Sequence, residues 1–283
     1  MNRVLSSIHA ICYTIQPMND KGLAMFDIQK MLQHEISFYK LFTNKIVTEY
    51  GIVYYNHLNP LSHDSNHAHI LDINGDVDKI VRDIIRFYKG YGITPRVYMS
   101  FIDNELERLR PVLESQGFTL TVLNSTFMRF ELQKVRTFDS HITVRRIRHI
   151  SQEILALAYS GEDRDWGEWS VKVLQAAVKN ASFHLLGLFH EGKCVSLASV
   201  HIMDGYSRVD DVKTHAAFRG QHFGTQLMNY LTVYHSRTSE NYLYLWAENP
   251  IAIRMYRNVG FQELNVDMPR WSAFIAPAPP ASS

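Results

Sequence analysis

The chain has 283 residues, 46% hydrophobic and 12% aromatic, which supplies material for a large core and excludes a disordered polymer. Its 29 basic and 28 acidic residues leave a net charge of +1, which argues against a partner held through a broad basic surface, nucleic acid included. No apolar run reaches the roughly 20 residues that span a bilayer. The start, Met1-Asn2-Arg3, lacks the apolar core and cleavage site of a leader, so a cytoplasmic protein without a membrane partner is expected.

In chain order, the apolar spacing of Ile28, Met31, Leu32, Ile36 and Tyr39 predicts a helix over 27–42. Strand-like runs rich in Ile, Val and Tyr follow at 45–58 and 67–73. Asn74-Gly75-Asp76 is a turn that starts an amphipathic helix carried by Val77, Ile80, Val81, Ile84, Ile85 and Tyr88, which Gly90 and Gly92 stop. A strand over 96–101, a helix over 104–116 ending at Gly117, and closing strands within 119–132 complete the first half. The second half repeats the plan. It has a strand over 141–147, helices within 151–180, hairpin strands 183–189 and 194–202 joined at Glu191-Gly192, and a strand over 206–216. A helix over 225–235, a strand over 242–247, a helix over 250–258 and closing strands within 261–271 follow. Gly117-Phe118 and Gly260-Phe261 end the corresponding helices of the two halves, which predicts a duplicated mixed α/β unit. The polar stretch 133–140 sets the expected boundary between domains at 1–135 and 141–275. The tail 276–283, rich in Pro, Ala and Ser, is expected to be disordered.

Two side-chain groups point away from metal and thiol chemistry. Cys12 and Cys194 lie in apolar surroundings and read as reduced, buried thiols. His57, His63, His67 and His69 are joined by no cysteine and have no finger spacing, so a polar loop is the reading and no metal is expected.

The chemistry concentrates at Val212-Lys213-Thr214-His215-Ala216-Ala217-Phe218-Arg219-Gly220-Gln221-His222-Phe223-Gly224-Thr225. This is a strand, a glycine-bearing loop and a helix start, an arrangement whose backbone N–H groups and helix dipole suit a phosphate-bearing ligand. Asn249-Pro250-Ile251-Ala252 and Tyr256-Arg257-Asn258-Val259-Gly260-Phe261 follow as a second signature. Together, over about 142–271, they resemble the GNAT superfamily of acyl-CoA N-acyltransferases, with His222 standing where the first motif glycine is usual.

The resemblance implies two GNAT-like units, each a central mixed, mostly antiparallel sheet flanked by helices. It implies acetyl-CoA as donor, a small-molecule or peptide amine as acceptor, and direct attack in a ternary complex. The pyrophosphate would meet Arg219, Gly220, Gln221, His222, Phe223, Gly224 and Thr225. The pantetheine arm would meet Val212, Thr214 and Asn249. Tyr256 is the candidate general acid. Asp211 is the candidate base, with Asp210 as its alternative on the opposite strand face and His215 sharing the face of Asp211. The loop with Asp163, Asp165, Trp166 and Trp169 would contact a cationic or aromatic acceptor, or else is a solvated loop with anchoring tryptophans. The first half carries acidic Asp72 and Asp76 where the phosphate loop would lie, and so reads as a degenerate copy. A tandem GNAT-like protein that binds an acyl-CoA or a partner without turnover is the alternative. The sequence leaves room for a homodimer.

Overall fold

The computed structural model describes residues 26–131, 142–160, 167–266 and 268–276, without the side chains of 167–170. The expectations for Cys12, Asp163, Asp165, Trp166 and the tail beyond residue 276 therefore lie outside the described residues.

The chain forms two compact units, each around one sheet. In the first, α1 (Ile28–Ser37) starts at Asp27, whose carboxylate accepts the N–H groups of Gln29 and Lys30. Then come a short 3-10 turn, the hairpin β1 (Asn44–Thr48) and β2 (Gly51–Tyr55), β3 (His67–Ile70), α2 (Val77–Gly90), β4 (Arg96–Tyr98), α3 (Glu105–Ser115) and β5 (Thr119–Leu123). The run 45–58 is therefore a hairpin turning at Glu49-Tyr50. The chain continues through β6 (Thr126–Phe130), β7 (Ile142–Ile147), α4 (Gln152–Ala158), α5 (Gly167–Ala177), β8 (Phe183–His190), β9 (Lys193–Met203), β10 (Tyr206–Thr214), α6 (Phe223–Thr238), β11 (Tyr242–Ala247), α7 (Pro250–Val259), β12 (Phe261–Glu263) and β13 (Arg270–Phe274).

The first sheet has the order β1-β2-β3-β4-β13-β5, the second β12-β6-β11-β10-β9-β8-β7. Read from β8, the second sheet repeats the first strand for strand. In both, two antiparallel pairs lead to one parallel pair (β3 with β4, β10 with β11), and two antiparallel pairs close the sheet. The mixed α/β, duplicated architecture is thus present.

The expected boundary between 135 and 141 is not the boundary of the sheets. β6 precedes it in sequence yet lies between β11 and β12 of the second sheet, and β13 lies between β4 and β5 of the first. Each of these strands buries apolar side chains, Phe127 and Met128 in one and Trp271 and Ala273 in the other. Such patterning fixes which side chains go inward, but not which of two like sheets receives them. The second unit's core packs Leu227, Met228 and Leu231 of α6 and Val259 of α7 against Val209, Leu243 and Leu245 of the sheet.

Candidate active site

β10 is interrupted where chemistry is expected. Its register against β9 runs Asp210↔Ser199 and then Lys213↔Leu197, so one extra residue sits in β10 between Asp210 and Lys213. Asp211 adopts φ +52°, the backbone signature of that bulge. On the other side, β10 pairs with β11 only from Tyr206 to Arg208, against Tyr242 to Tyr244. Beyond that point the strands part. Residues 209–214 keep a partner strand only in β9, and 245–247 only in β6. The backbone polar groups of β10 and β11 beyond that point, unpaired with each other, can pair with an extended amide chain. Val212, at the bulge, and Thr214, at the strand end, lie on the β10 side.

The strand leads directly into the loop. Ser196 bonds the Lys213 carbonyl at 2.8 Å and the Thr214 hydroxyl at 2.9 Å, which pins the end of β10. The Arg219 guanidinium donates to the Thr214 carbonyl at 3.2 Å, so this arginine braces the loop. Gln221 donates its side-chain amide to the Ala217 carbonyl at 3.3 Å. Gly220 has φ +78° and His222 φ +63°, ψ 9°. The backbone conformation that favours glycine at 222 is thus present, and histidine, one of the side chains that tolerates it better than most, adopts it while exposed to solvent.

His222 is the N-cap of α6, but its side chain makes no capping bond. No acceptor among the described residues takes the backbone N–H of Gln221, His222, Phe223, Gly224 or Thr225. A Cβ on Gly224 would lie 3.1 Å from Thr214 Oγ1 and 3.4 Å from Met255 Sδ. Glycine thus lets the first turn of α6 approach the strand end without crowding these two side chains. Five N–H groups without a described acceptor, at a helix N-terminus with no acidic residue in its first turn, suit an anion.

The first unit shows the contrast. There Asp76 caps α2, its carboxylate accepting the Lys79 N–H at 2.9 Å, and Asp78 lies in the first turn. Asp72 accepts the Asn74 N–H at 2.9 Å. That helix start is filled by its own carboxylates. Beyond the pair His69↔Tyr98, the His69 ring also bonds the Met99 carbonyl at 2.8 Å, a side-chain link from β3 to the end of β4.

α7 begins at Asn249, whose side chain accepts the Ile251 N–H at 2.9 Å, with Pro250 in the first turn. It ends at Gly260, φ +116°. Tyr256, on its inner face, is 6% exposed and packs against Phe261. Burial, and next the charge of Asp210, push its phenol well above the ordinary range, so it holds its proton.

The Asp210 carboxylate thus lies within electrostatic reach of Tyr256. Its Oδ2 pairs with buried Arg208 at 2.8 Å and its Oδ1 accepts the Asp211 N–H at 3.0 Å. Arg208 lies over the Trp246 ring at 5.1 Å. Burial lowers His201, opposite Arg208 on β9, to about 4, with Asp210 acting in the other direction. Asp211 is exposed and accepts the Ser199 hydroxyl at 3.4 Å. Ser199 is also the register partner of Asp210. The bulge thus brings both carboxylates to one side, and the opposite faces expected from simple alternation do not hold. His215 turns its ring back to accept the Ala217 N–H at 3.2 Å. Of the acceptor-loop residues, only the backbone of Trp169 is described, in α5. The Arg208–Asp210–Trp246 grouping was not legible in the sequence, because the pairing across β10 and β11 creates it.

Cys194 is buried and its thiol is pushed up to about 12, first by burial and then by Glu153, which leaves no thiolate for catalysis. His67 and His69 are buried in the first sheet. Among the described residues, no three His, Cys, Asp or Glu side chains converge as metal ligands, and no helix is long and apolar enough to cross a membrane.

Residues 148–261 match the family described as Acetyltransferase (GNAT) family. No curated protein matches the chain in sequence. Among solved structures, the chain resembles a GCN5-related N-acetyltransferase from Kribbella flavida, with TM-score 0.64 and 16% identity over 90% of this chain and 98% of that one. It also resembles a conserved protein of unknown function from Staphylococcus epidermidis, with TM-score 0.62 and 17% identity over 88% and 99%. A tandem GNAT protein from the clavulanic acid biosynthesis pathway superposes with TM-score 0.50 and 13% identity over 75% and 76%. At these identities the likeness is one of fold.

Proposed function

We propose that this chain, whose residues 148–261 match the acetyltransferase (GNAT) family, moves an acetyl group from acetyl-CoA to a primary amine of a small molecule or peptide in the cytoplasm. The observation that carries the reading is the start of α6 without a side-chain cap, with five N–H groups that no described residue accepts, beside the place where β10 and β11 part. The pyrophosphate fits the first, and the two amides of pantetheine fit the second. The donor supplies the acetyl thioester.

In this reading the amine lone pair attacks the thioester carbon within one ternary complex. A C–N bond forms and the C–S bond breaks. Asp211, exposed at the bulge, orients the amine and takes its proton, while Arg208 fixes Asp210 beside it. A backbone N–H at the bulge steadies the oxyanion. The phenol of Tyr256, held neutral by burial, donates a hydrogen bond to the departing sulfur and relays to it the proton that the amine releases, so that the tyrosine ends the step protonated. Asn249 fixes the start of α7 and thereby the depth of Tyr256. No metal takes part in these steps, and the first unit, with its helix start self-capped, serves as scaffold.

Calorimetric titration with acetyl-CoA and CoA, followed by thiol release over a panel of amines, tests the proposal. Absence of CoA binding removes it. Binding without turnover over a broad panel favours the non-catalytic alternative. Tyr256→Phe should lower turnover by about 100-fold, within the usual range for a lost general acid, and leave CoA affinity unchanged.

A further inference from the structure

The two sheets differ in strand number at one edge. In the second sheet β8 is flanked on both sides, by β9 and by β7. Its counterpart in the first sheet, β1, pairs with β2 alone, and among the described residues no strand covers its other side. β7, the second sheet's own edge, carries Arg145 and Arg146, charges of the kind that discourage further pairing. β1 has Lys45 as its only charge and exposes β-branched residues on both of its faces, Ile46 at 39% and Val47 at 70%. It is also well anchored, since the Thr43 hydroxyl bonds the Tyr55 carbonyl at 3.0 Å and the Ser65 carbonyl at 2.8 Å.

The register of the hairpin settles which backbone groups are available. Thr48 and Gly51 flank a two-residue turn and exchange both backbone hydrogen bonds. Counting back by two, Ile46 and Asn44 turn their N–H and C=O toward β2, opposite Val53 and Tyr55. Lys45 and Val47 turn theirs toward the edge that no described strand covers, and Glu49 opens the turn just beyond the strand end.

The segment Lys45-Ile46-Val47-Thr48-Glu49 is self-complementary when laid antiparallel on itself about Val47. Lys45 then faces Glu49 of a second copy, Val47 faces Val47, and Glu49 faces Lys45. Val47 then exchanges backbone bonds with Val47 of the second copy, as an antiparallel ladder requires, and the opposite charges of Lys45 and Glu49 lie on either side of that pair. Centring the pair on Ile46 would set Lys45 against Val47, and centring on Lys45 would set like charges together. Charge therefore selects one register. Edge strand β5, by contrast, has no charged residue with which to fix one. Inside one chain Glu49 has only a 3.8 Å contact with Lys79, both side chains being largely exposed, which competes little.

We infer that β1 is a self-association edge, joining two copies of this chain about a two-fold axis at Val47 into a continuous twelve-stranded sheet. Five residues a side make a small contact, so the dimer forms reversibly and with rising concentration. This inference stands apart from the catalytic proposal.

Sedimentation velocity of the full chain from about 1 to 500 μM, at low salt, is the test, with far-UV circular dichroism confirming the fold of each variant. The wild type should pass from monomer to dimer across that range. Lys45→Glu and Glu49→Lys should each weaken the dimer by at least about ten-fold, by opposing like charges twice across the axis. The double variant, with the charges exchanged, should regain it. Val47→Lys should be monomeric throughout. A wild type that stays monomeric at every concentration overturns the inference. So does a folded Val47→Lys that still dimerises, or a folded double variant that stays as weak as its parents.

Discussion

Acidification should destabilise this protein through imidazoles buried in the neutral form. His69, His201 and His235 are 2%, 4% and 4% exposed, and burial lowers each to about 4. In the unfolded chain a histidine titrates near 6.5. Between these values the unfolded state binds more protons than the folded state, so stability is full above pH 6.5 and falls as pH drops. At pH 5 the unfolded imidazole is almost wholly protonated and the folded one about one-tenth so, which costs about 2 kcal/mol per histidine and about 6 kcal/mol for the three.

Glu105 acts in the opposite direction. Its carboxyl is 3% exposed and raised to about 7 by burial, although it accepts the Ser100 N–H at 2.7 Å. Because its folded value lies above its unfolded one, lowering pH from 7.5 to 5 returns about 2 kcal/mol. The net loss is about 4 kcal/mol, a large share of the 5–15 kcal/mol that holds a typical domain together. His67, lowered well below its ordinary value by burial, adds to the loss. Urea unfolding at pH 7.5, 6.5, 5.5 and 5.0 measures the effect. His235, whose Nε2 is buried without a hydrogen-bond partner, is the site for a control. His235→Phe should flatten the profile by about 2 kcal/mol at pH 5. A stability independent of pH between 7.5 and 5, or a His235→Phe profile parallel to the wild type, refutes the reasoning.

Other outcomes follow from close contacts and caps. Gly224→Val places a branched side chain against Thr214 and Met255, so α6 must retreat from β10; CoA affinity by calorimetry should fall at least about ten-fold in a protein that still folds. His222→Gly relieves a positive-φ histidine, and CoA should bind at least as tightly as to the wild type, with a midpoint of unfolding equal or higher. Gly51→Ala would set a Cβ 2.0 Å from the His69 carbonyl oxygen, so β2 and β3 must separate; a loss of about 3 kcal/mol in urea unfolding is expected. Asp76→Ala should cost about 1 kcal/mol by removing the α2 cap, and should not create a second CoA site on titration.

Much of the site was legible because its determinants are local. Gly220 and Gly224, the uncapped helix start after a strand, and Asn249 with Pro250 at the head of α7 are near neighbours in sequence, and the backbone chemistry of each acts within one or two turns. The same holds for Asp76, which disqualifies the corresponding helix of the first unit. The carboxylates were harder to read. Strand periodicity set Asp210 and Asp211 on opposite faces, but one inserted residue in β10 brought both within reach of the partners of Ser199. Nothing in Val209-Asp210-Asp211-Val212 signals a bulge, since the unequal register of β9 against β10 produces it.

The sequence by itself determined the element order, the duplication and the glycine-bearing loop ahead of α6, because capping, turn chemistry and hydrophobic period depend on residues a few positions apart. Tertiary structure alone decided three matters. It set which sheet takes β6 and β13, how far β10 and β11 run together before parting, and the reach of the Asp210 carboxylate to Tyr256. These depend on pairings between strands far apart in the chain, and burial patterns that two sheets can satisfy equally leave such pairings unspecified until the sheets assemble.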